Sequence, residues 1–415
     1  MKFRSIKGTK DILPADAPAW QSAEEVVHSV MRDFGYKEIR TPVFEQTALF
    51  ARSIGELTDI VSKEMYTFLD RGEESITLRP EGTASALRAY IQNNLGEQSP
   101  LTKLYYLGPM FRQERPQAGR LRQFHQFGAE ALGSSSPLLD AEMIALPIAI
   151  YRKLGLTEFS LKINSVGCQQ CRPRYKELLT AELLKIKAKL SPESQARIQS
   201  NPMRVLDSKD EGDRQSTANV PLIKDHLCEE CRTHFEQVQK QLAAVKLQYE
   251  VDGRLVRGLD YYTKTAFEIT STALGSQDAL AGGGRYDLLV EELGGAATPG
   301  VGFAAGIERL LMVLEKLGKL SALDSPPVLF FVTLDDASRS WAFEQAMMFR
   351  EKGIQTDLDY LGRSIKAQMR EANRQRAQYV LVVGEQELKS GKGKLKQMSS
   401  GTETDVSLDR IELPH

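Results

Sequence analysis

The stretch Leu104–Gly133, LYYLGPMFRQERPQAGRLRQFHQFGAEALG, most narrows what this chain can fold into. It reads as two strand-like runs, Leu104–Arg112 and Gln123–Leu132. A basic loop joins them, carrying Arg115, Arg120 and Arg122, with Pro116 and Gly119 as breakers. In the second run, period two places Phe124, Gln126, Gly128 and Glu130 on one face. An aromatic ring, an amide and a carboxylate then stand in a row. Polar groups on a buried face are costly unless something hydrogen-bonds to them. A ligand is the simplest partner.

A chain of 415 residues implies roughly two to three domains. Hydrophobic residues make up 41% and charged residues 26%, ordinary values for a globular protein. The formal net charge is −1, so any RNA site must rest on local basic segments. No apolar run is long enough for a bilayer, and the opening MKFRSIKGTKDILP lacks the apolar core of a signal peptide. Four cysteines in so long a chain fit a reducing compartment. No membrane partner and a cytoplasmic location are the expectations.

The pattern predicts a helix over Ala17–Phe34, then the short strand EIRTPVF, which Pro42 confines to an edge or a subunit boundary. Strands are expected at Met65–Phe68 and Ser75–Leu78, and a helix over Gly82–Asn94. Leu161–Asn164 is strand-like. A helical insertion follows, about 167–245, with helices over Arg172–Leu190 and Val220–Val245 and a polar loop at Asp207–Asn219. Ser191-Pro192-Glu193 has the form of a helix cap with proline at the first helical position. Strand texture returns at Leu255–Thr272 and Gln277–Leu280, and Ile307–Leu317 carries a helical apolar stripe. Ser325-Pro326-Pro327 marks a boundary between domains at 1–325 and 327–415. Beyond it, strands alternate with helices, predicting a separate α/β domain on a mixed or parallel sheet.

FRxE, a loop and RxFxQFGxE together resemble motif 2 of class II aminoacyl-tRNA synthetases. GVGFAAGIERLL (Gly300–Leu311) resembles motif 3. LVRGLDYYTKTAFE (Leu255–Glu268) followed by AGGGRYD (Ala281–Asp287) is similar to the two signature peptides of the histidyl-tRNA synthetase family. KGTKDILP (Lys7–Pro14), Gly35–Glu56 and TLRPEGTA (Thr77–Ala84) resemble the same family, in the same order along the chain. The resemblance implies an α/β fold: an α+β catalytic core on an antiparallel sheet with flanking helices, a helical insertion and a C-terminal anticodon-binding domain. It implies a homodimer built partly on the segment around Pro42. The implied reaction joins L-histidine to ATP, with Mg²⁺, and passes it to the terminal adenosine of tRNA(His). A non-catalytic paralogue that regulates histidine biosynthesis typically lacks both an intact Arg-Gly-Leu-Asp-Tyr-Tyr peptide and the C-terminal domain. This chain has both.

Activation places negative charge on phosphoryl oxygens, which cations and Mg²⁺ stabilise. By resemblance, Arg112 and Arg309 are the motif 2 and motif 3 arginines on ATP, Phe124 stacks on adenine, and Glu114 lies near its amino group. Glu81, Thr83 and Gln126 match residues at the substrate α-amino group, Glu130 and Tyr262 those that hold the imidazole, and Gly82 and Tyr261 match further histidine-binding positions. Arg257 matches the arginine that pairs with the substrate carboxylate and α-phosphate. Arg115, Gln117 and Arg120, in the hairpin loop, match contacts to the tRNA acceptor end. Arg257 and Tyr262 have opposite parity, so a regular strand sends them to opposite faces. A bend or bulge at Gly258 would reconcile them.

Ala281–Gly284 fits close approach of backbone to a ligand. Gly300, Gly302 and Gly306 have the wrong spacing for a dinucleotide loop and lack an acidic partner at the expected distance. Two C-x-x-C pairs, Cys168/Cys171 and Cys228/Cys231, have the spacing of a four-thiolate zinc site. The same residues also read as small core groups, since Cys228, Cys231, Phe235, Val238 and Leu242 form a stripe of helical period. Both readings stand on sequence alone. Five histidines make no H-x-x-H pair, and no serine sits in a G-x-S-x-G elbow, so hydrolase and metalloprotease readings lack support.

Overall fold

The computed structural model describes residues 3–55, 58, 60–117, 119–257, 259, 261–275, 279–320 and 328–414. The expected bulge at Gly258, the start of the strand at Gln277 and the Ser325-Pro326-Pro327 boundary lie outside these residues. Two compact units are present, Met1–Leu323 and Asp324–His415.

In chain order, the strands of the first unit are β1 (Lys37–Glu38), β2 (Phe44–Gln46), β3 (Tyr66–Leu69), β4 (Ser75–Leu78), β5 (Thr102–Phe111) and β6 (Gln123–Leu132). They continue as β7 (Ser160–Ser165), β8 (Glu250–Val251), β9 (Thr263–Thr270), β10 (Ala279–Arg285) and β11 (Gly300–Gly306). Eight of them form one sheet in the order β1-β5-β6-β11-β10-β9-β7-β8. Its pairs are antiparallel except at the two edges, β1 on β5 and β7 on β8, which are parallel. A small sheet, β2-β4-β3, stands apart. EIRTPVF is therefore not one strand. It is split around Pro42 between two sheets, as proline's missing N–H requires.

The pleat divides β6. Phe127, Ala129 and Ala131 are buried in the main core with Val301, Phe303 and Ala305 of β11. Helices Ala17–Asp33, Pro137–Lys153, Glu229–Ala244 and Ile307–Lys316 contribute to that same core. The opposite face is left for Phe124, Gln126, Gly128 and Glu130.

Three expectations need correction. The helix placed over Val220–Val245 begins only at Glu229, because Pro221 and an extended Cys228 at the cap precede it. The loop at Asp207–Asn219 contains a short helix, Glu211–Ser216, whose first turn is capped by Asp213 N–H donating to Asp210 Oδ1 at 3.0 Å. The strand placed over Leu255–Thr272 begins at Thr263. The Ser191 cap is present, with Ser194 N–H donating to its Oγ at 3.2 Å.

Residues 167–245 are woven into the first unit. Phe235, Val238 and Leu242 enter the main core, whereas Tyr175, Leu179, Leu183, Leu190 and Ile198 pack in a second core. That second core also holds Tyr261, Tyr262 and Tyr286.

The second unit carries β12 (Leu329–Thr333), β13 (Thr356–Leu358), β14 (Tyr379–Val383), β15 (Lys392–Gln397) and β16 (Glu403–Ser407). They form a mixed sheet in the order β13-β12-β14-β15-β16 with helices Asp336–Glu351 and Ile365–Arg374. Lys392, Lys394 and Lys396 lie on β15 itself. They alternate with buried Gly393 and Leu395 along β15.

Candidate active site

The polar face of β6 opens on a cleft. It is lined by Glu81, Thr83, Arg112, Glu114, Arg120, Phe124, Gln126, Arg257, Tyr261, Tyr262 and Arg309. Eleven residues that the sequence scatters over more than half the chain thus meet in one place. Gly302, Ala304 and Gly306 of β11 lie opposite Glu130, Gly128 and Gln126 of β6 and also line the cleft. The glycine run is the bare floor of this cleft: a Cβ at Gly302 would overlap Glu130 Oε2.

At one end, Glu130 is fully buried. Tyr106 Oη donates to its Oε1 at 3.2 Å and Tyr286 Oη to its Oε2. Burial drives the Glu130 carboxyl up to about 8, against the pull of the Tyr286, Thr83 and Tyr106 hydroxyls. Tyr106 reaches Glu130 because Gly128 sits opposite it on β6 and Gly82 lies behind its ring. A Cβ at either glycine would collide with that ring. Gly82 therefore makes room for Tyr106. Glu81 accepts from the N–H groups of Thr83 (2.7 Å) and Ala84 (2.9 Å), at the start of helix Thr83–Gln92. Burial raises its carboxyl despite those bonds. Tyr261 packs against Tyr262 and edge-on against Tyr286, with centroids 4.7 and 5.7 Å apart.

Arginines gather along the rest of the cleft. Arg112 Nε donates to Pro80 O at 2.9 Å, and its guanidinium lies 5.3 Å from the Phe124 ring centre. Arg309 Nε donates to Gly119 O at 2.9 Å and its Nη1 to Ala279 O at 2.8 Å. Burial, with Arg120 close by, lowers its pKa. Arg257 Nη1 pairs with Glu268 Oε1 at 2.5 Å. A Cβ at Gly282 would overlap the Arg257 guanidinium, so that glycine gives way to a side chain of this chain rather than only to a ligand. Two cleft atoms, Gln126 Oε1 and Arg257 Nε, are buried and have no partner. Glu114 is engaged by Arg120 at 3.3 Å. Arg115, Gln117 and Arg120 line an adjoining hollow with Lys63 and Glu64.

Arg257 and Tyr262 both face the cleft without a regular strand between them, since β9 starts at Thr263. A bulge is present just after Tyr262. The register of β9 against β10 slips between Ala266↔Gly284 and Thr263↔Arg285, and Lys264 takes φ +49° there.

Sequence reading missed Tyr106, Tyr286 and Glu308. Glu308 accepts from His125 N–H at 2.9 Å and contacts the His125 ring at 3.0 Å, tying β6 to the motif 3 helix. It also missed a buried charge cluster. Arg285 Nε donates to Asp140 Oδ2 at 3.1 Å, and His234 Nε2 lies 3.0 Å from Asp140 Oδ1. The RYD and GIER peptides held the signal for Tyr286 and Glu308.

The four cysteines converge as well. Cys168 Sγ lies 3.8 Å from Cys171 Sγ and 3.7 Å from Cys228 Sγ, and Cys171 Sγ lies 3.8 Å from Cys231 Sγ. The helical stripe expected from Cys228 holds only from Cys231 onward, for Cys228 is the cap of its helix.

Residues 8–310 match the family described as Histidyl-tRNA synthetase. The chain belongs to that family. Residues 329–412 match the family described as Anticodon binding domain. A histidine–tRNA ligase of Halothermothrix orenii is 50% identical over 412 residues, 99% of this chain and 98% of that one. Another, from Chloroherpeton thalassium, is 51% identical over 410 residues, 98% of this chain and 96% of that one. The structure of apo S. aureus histidyl-tRNA synthetase superposes with a TM-score of 0.83 at 40% identity, covering 98% of both chains. The cleft thus lies in the histidyl-tRNA synthetase part of the chain, and the mixed sheet of the second unit in the anticodon-binding part. No helix of the described residues is long and apolar enough to cross a membrane.

Proposed function

We propose that this chain is a histidine–tRNA ligase that uses the β6 cleft for both of its steps. L-histidine and ATP form histidyl-adenylate, and the histidyl group then passes to the 3′-terminal adenosine of tRNA(His). The observation that carries this reading is the polarity of the cleft. A carboxylate and tyrosine cage closes one end, and Arg112, Arg257 and Arg309 line the remainder.

Glu130 holds the imidazole. Its carboxyl accepts from two tyrosine hydroxyls, which leaves lone pairs for an imidazole N–H. Tyr261 and Tyr262 wall that end, and Glu81, Thr83 and Gln126 take the α-ammonium, the orphaned Gln126 Oε1 being one acceptor. Arg257, with its orphaned Nε, pairs with the substrate carboxylate and α-phosphate. A carboxylate oxygen of histidine attacks the α-phosphorus, the bond to the bridging oxygen breaks, and pyrophosphate leaves. Arg112, Arg257 and Arg309 stabilise the charge that develops on the phosphoryl oxygens. The Phe124 ring stacks on adenine, and Glu114 lies near its amino group.

Mg²⁺ enters as part of the MgATP substrate. Among the described residues, the only group of three or more His, Cys, Asp or Glu side chains close enough to share an ion is the cysteine cluster. A magnesium ion held mainly by phosphate oxygens and water agrees with this. Arg115, Gln117 and Arg120 face the acceptor end of the tRNA beside the cleft. The second unit reads the anticodon end. Two copies of the chain associate through the face around Pro42, where Val43, Phe44, Phe68 and Leu69 are exposed on and beside β2 and β3.

Histidine-dependent exchange between ATP and pyrophosphate tests the reading directly. Exchange that ignores histidine, or responds equally to other amino acids, would overturn it.

A further inference from the structure

We propose that Cys168, Cys171, Cys228 and Cys231 form a structural zinc site that clasps two helices to the strand that follows the active-site tyrosines Tyr261 and Tyr262. The metal site is independent of the reaction assigned to the cleft, and only the KM readout of its test rests on that assignment.

The geometry is that of a single tetrahedral ion. All four sulfurs lie within 4.8 Å of one another, and three of their separations are 3.7–3.8 Å. A zinc ion at the usual distance of about 2.3 Å from each thiolate sets the sulfurs about 3.8 Å apart. Bonded disulfide sulfurs stand only about 2.05 Å apart, and all four cysteines are free. An iron–sulfur cluster would interpose several irons and sulfides and hold the thiolates farther apart. Apolar packing of four thiols does not demand that all four sulfurs converge this closely.

Backbone geometry supports the same reading. Cys168 N–H donates to Cys171 Sγ at 3.2 Å, and Gln170 N–H to Cys168 Sγ at 3.4 Å. Amides aimed at sulfur stabilise thiolate charge and orient the ligands. Gly167, at φ +73°, makes the turn possible: a Cβ there would stand 2.8 Å from Cys171 Sγ. One pair opens helix Cys171–Lys185 and the other opens helix Glu229–Ala244, so the ion joins segments far apart in sequence.

The clasp bears on the cleft through three backbone contacts. Val166 N–H donates to Lys264 O at 2.7 Å, and Lys264 N–H to Gly167 O at 2.8 Å. Arg172, next to Cys171, donates through Nη2 to Tyr262 O. These contacts hold the left-handed Lys264 bulge that follows Tyr261 and Tyr262. A non-glycine residue there is strained and persists only where its surroundings enforce it.

The full-length protein should be purified in reductant, without chelator, and its metals measured by plasma mass spectrometry. The expected result is about one zinc per chain. Titration of the thiols with a mercurial should release that zinc to a colorimetric chelator. Replacement by cobalt should give the thiolate charge-transfer and visible bands of a tetrahedral sulfur site. Cys168→Ser, at a half-buried corner, should lower zinc content severalfold and raise the KM for histidine more than that for ATP. If that variant does not fold, the wild-type stoichiometry and cobalt spectrum decide alone. A folded, active protein with less than ~0.1 zinc per chain, even after growth with added zinc, would overturn the proposal. So would stoichiometric iron in place of zinc, or disulfides among these cysteines in non-reducing mass spectra.

Discussion

Tyr286 of the second signature peptide donates its hydroxyl to Glu130 of the motif 2 hairpin, joining two peptides that lie on different strands with β11 between them. This bond aims the buried carboxyl group and stabilises the charge it takes on when a substrate imidazole pairs with it. Tyr286→Phe should therefore weaken histidine binding about 10-fold or more while leaving ATP binding close to wild type. A hydrogen bond to a charged group contributes about 1.5–3 kcal/mol. Glu130→Ala should do the same more severely. Equilibrium binding of each ligand to each variant checks both, and equal losses for the two ligands would refute the assignment.

The raised carboxyl of Glu130 has a consequence for stability. Its ordinary value is 4.5 and its folded value about 8. Between those values the folded chain holds a proton that the unfolded chain has lost, so stability falls as pH rises across that window. Below it both states are protonated, and above it both are ionised. Glu130→Gln removes the titration. In the absence of histidine, its melting temperature should gain on wild type steadily from pH 5 to pH 8. Parallel melting curves over that range would show that Glu130 is already ionised when the cleft is empty.

Arg257 is held by Glu268 at 2.5 Å and retains an unpartnered Nε. Its pKa rises because the attraction of Glu268 outweighs burial, so the cation persists at any working pH. Arg257→Ala should slow adenylate formation by about 100-fold or more in single-turnover assays, the scale seen when one donor to a developing oxyanion is removed. Arg257→Lys should restore only part of the rate, because a point charge cannot replace a fork of donors. Near-normal activation by the alanine variant would make Arg257 a bystander.

The hairpin of the active site was legible in the sequence because a strand's period is two. Phe124, Gln126 and Glu130 had to share a face, and Phe124 and Gln126 line the cleft while Glu130 lies buried behind Tyr286 and Gly302. Helix Ile307–Lys316 and the Ser191 cap were legible for similarly local reasons. Pairings set by strand order were not. Nothing local says that Tyr286 meets Glu130, or that the two cysteine pairs converge, since both depend on how distant segments are brought together. Lys392–Gln397 was hidden for another reason. A strand that alternates lysine with glycine or leucine lacks the apolar run that marked Leu329–Thr333 and Tyr379–Val383. Pro42 correctly marked an interruption, but the chain's move from one sheet to another needed the pairing pattern.

The face around Pro42 bears on assembly. Phe44, Phe68 and Leu69 are 52%, 48% and 66% exposed on one small sheet, an unfavourable arrangement for an isolated chain. Sedimentation should show a dimer at micromolar concentration. Phe68→Asp with Leu69→Asp should shift it toward monomer and reduce activity with it. A stable, fully active monomer would rule out this interface.

The lysines of β15 offer a test of the second unit that spares the cleft. Arg363 and Arg374 are paired with Asp359 and Glu371 and are poorly placed to release counterions from RNA. Lys392, Lys394 and Lys396 share one face of β15, where Lys394 has Glu403 as an acidic neighbour at the long distance of 3.8 Å. If this face meets tRNA phosphates, replacing all three by alanine should leave histidine-dependent pyrophosphate exchange unchanged. It should raise the KM for tRNA and flatten the salt dependence of tRNA binding, by roughly 0.7 in logarithmic slope for each single-strand phosphate that is no longer neutralised. Filter binding across a range of salt concentrations measures that slope. An unchanged slope with an unchanged KM would place the RNA-binding surface on another face of the domain.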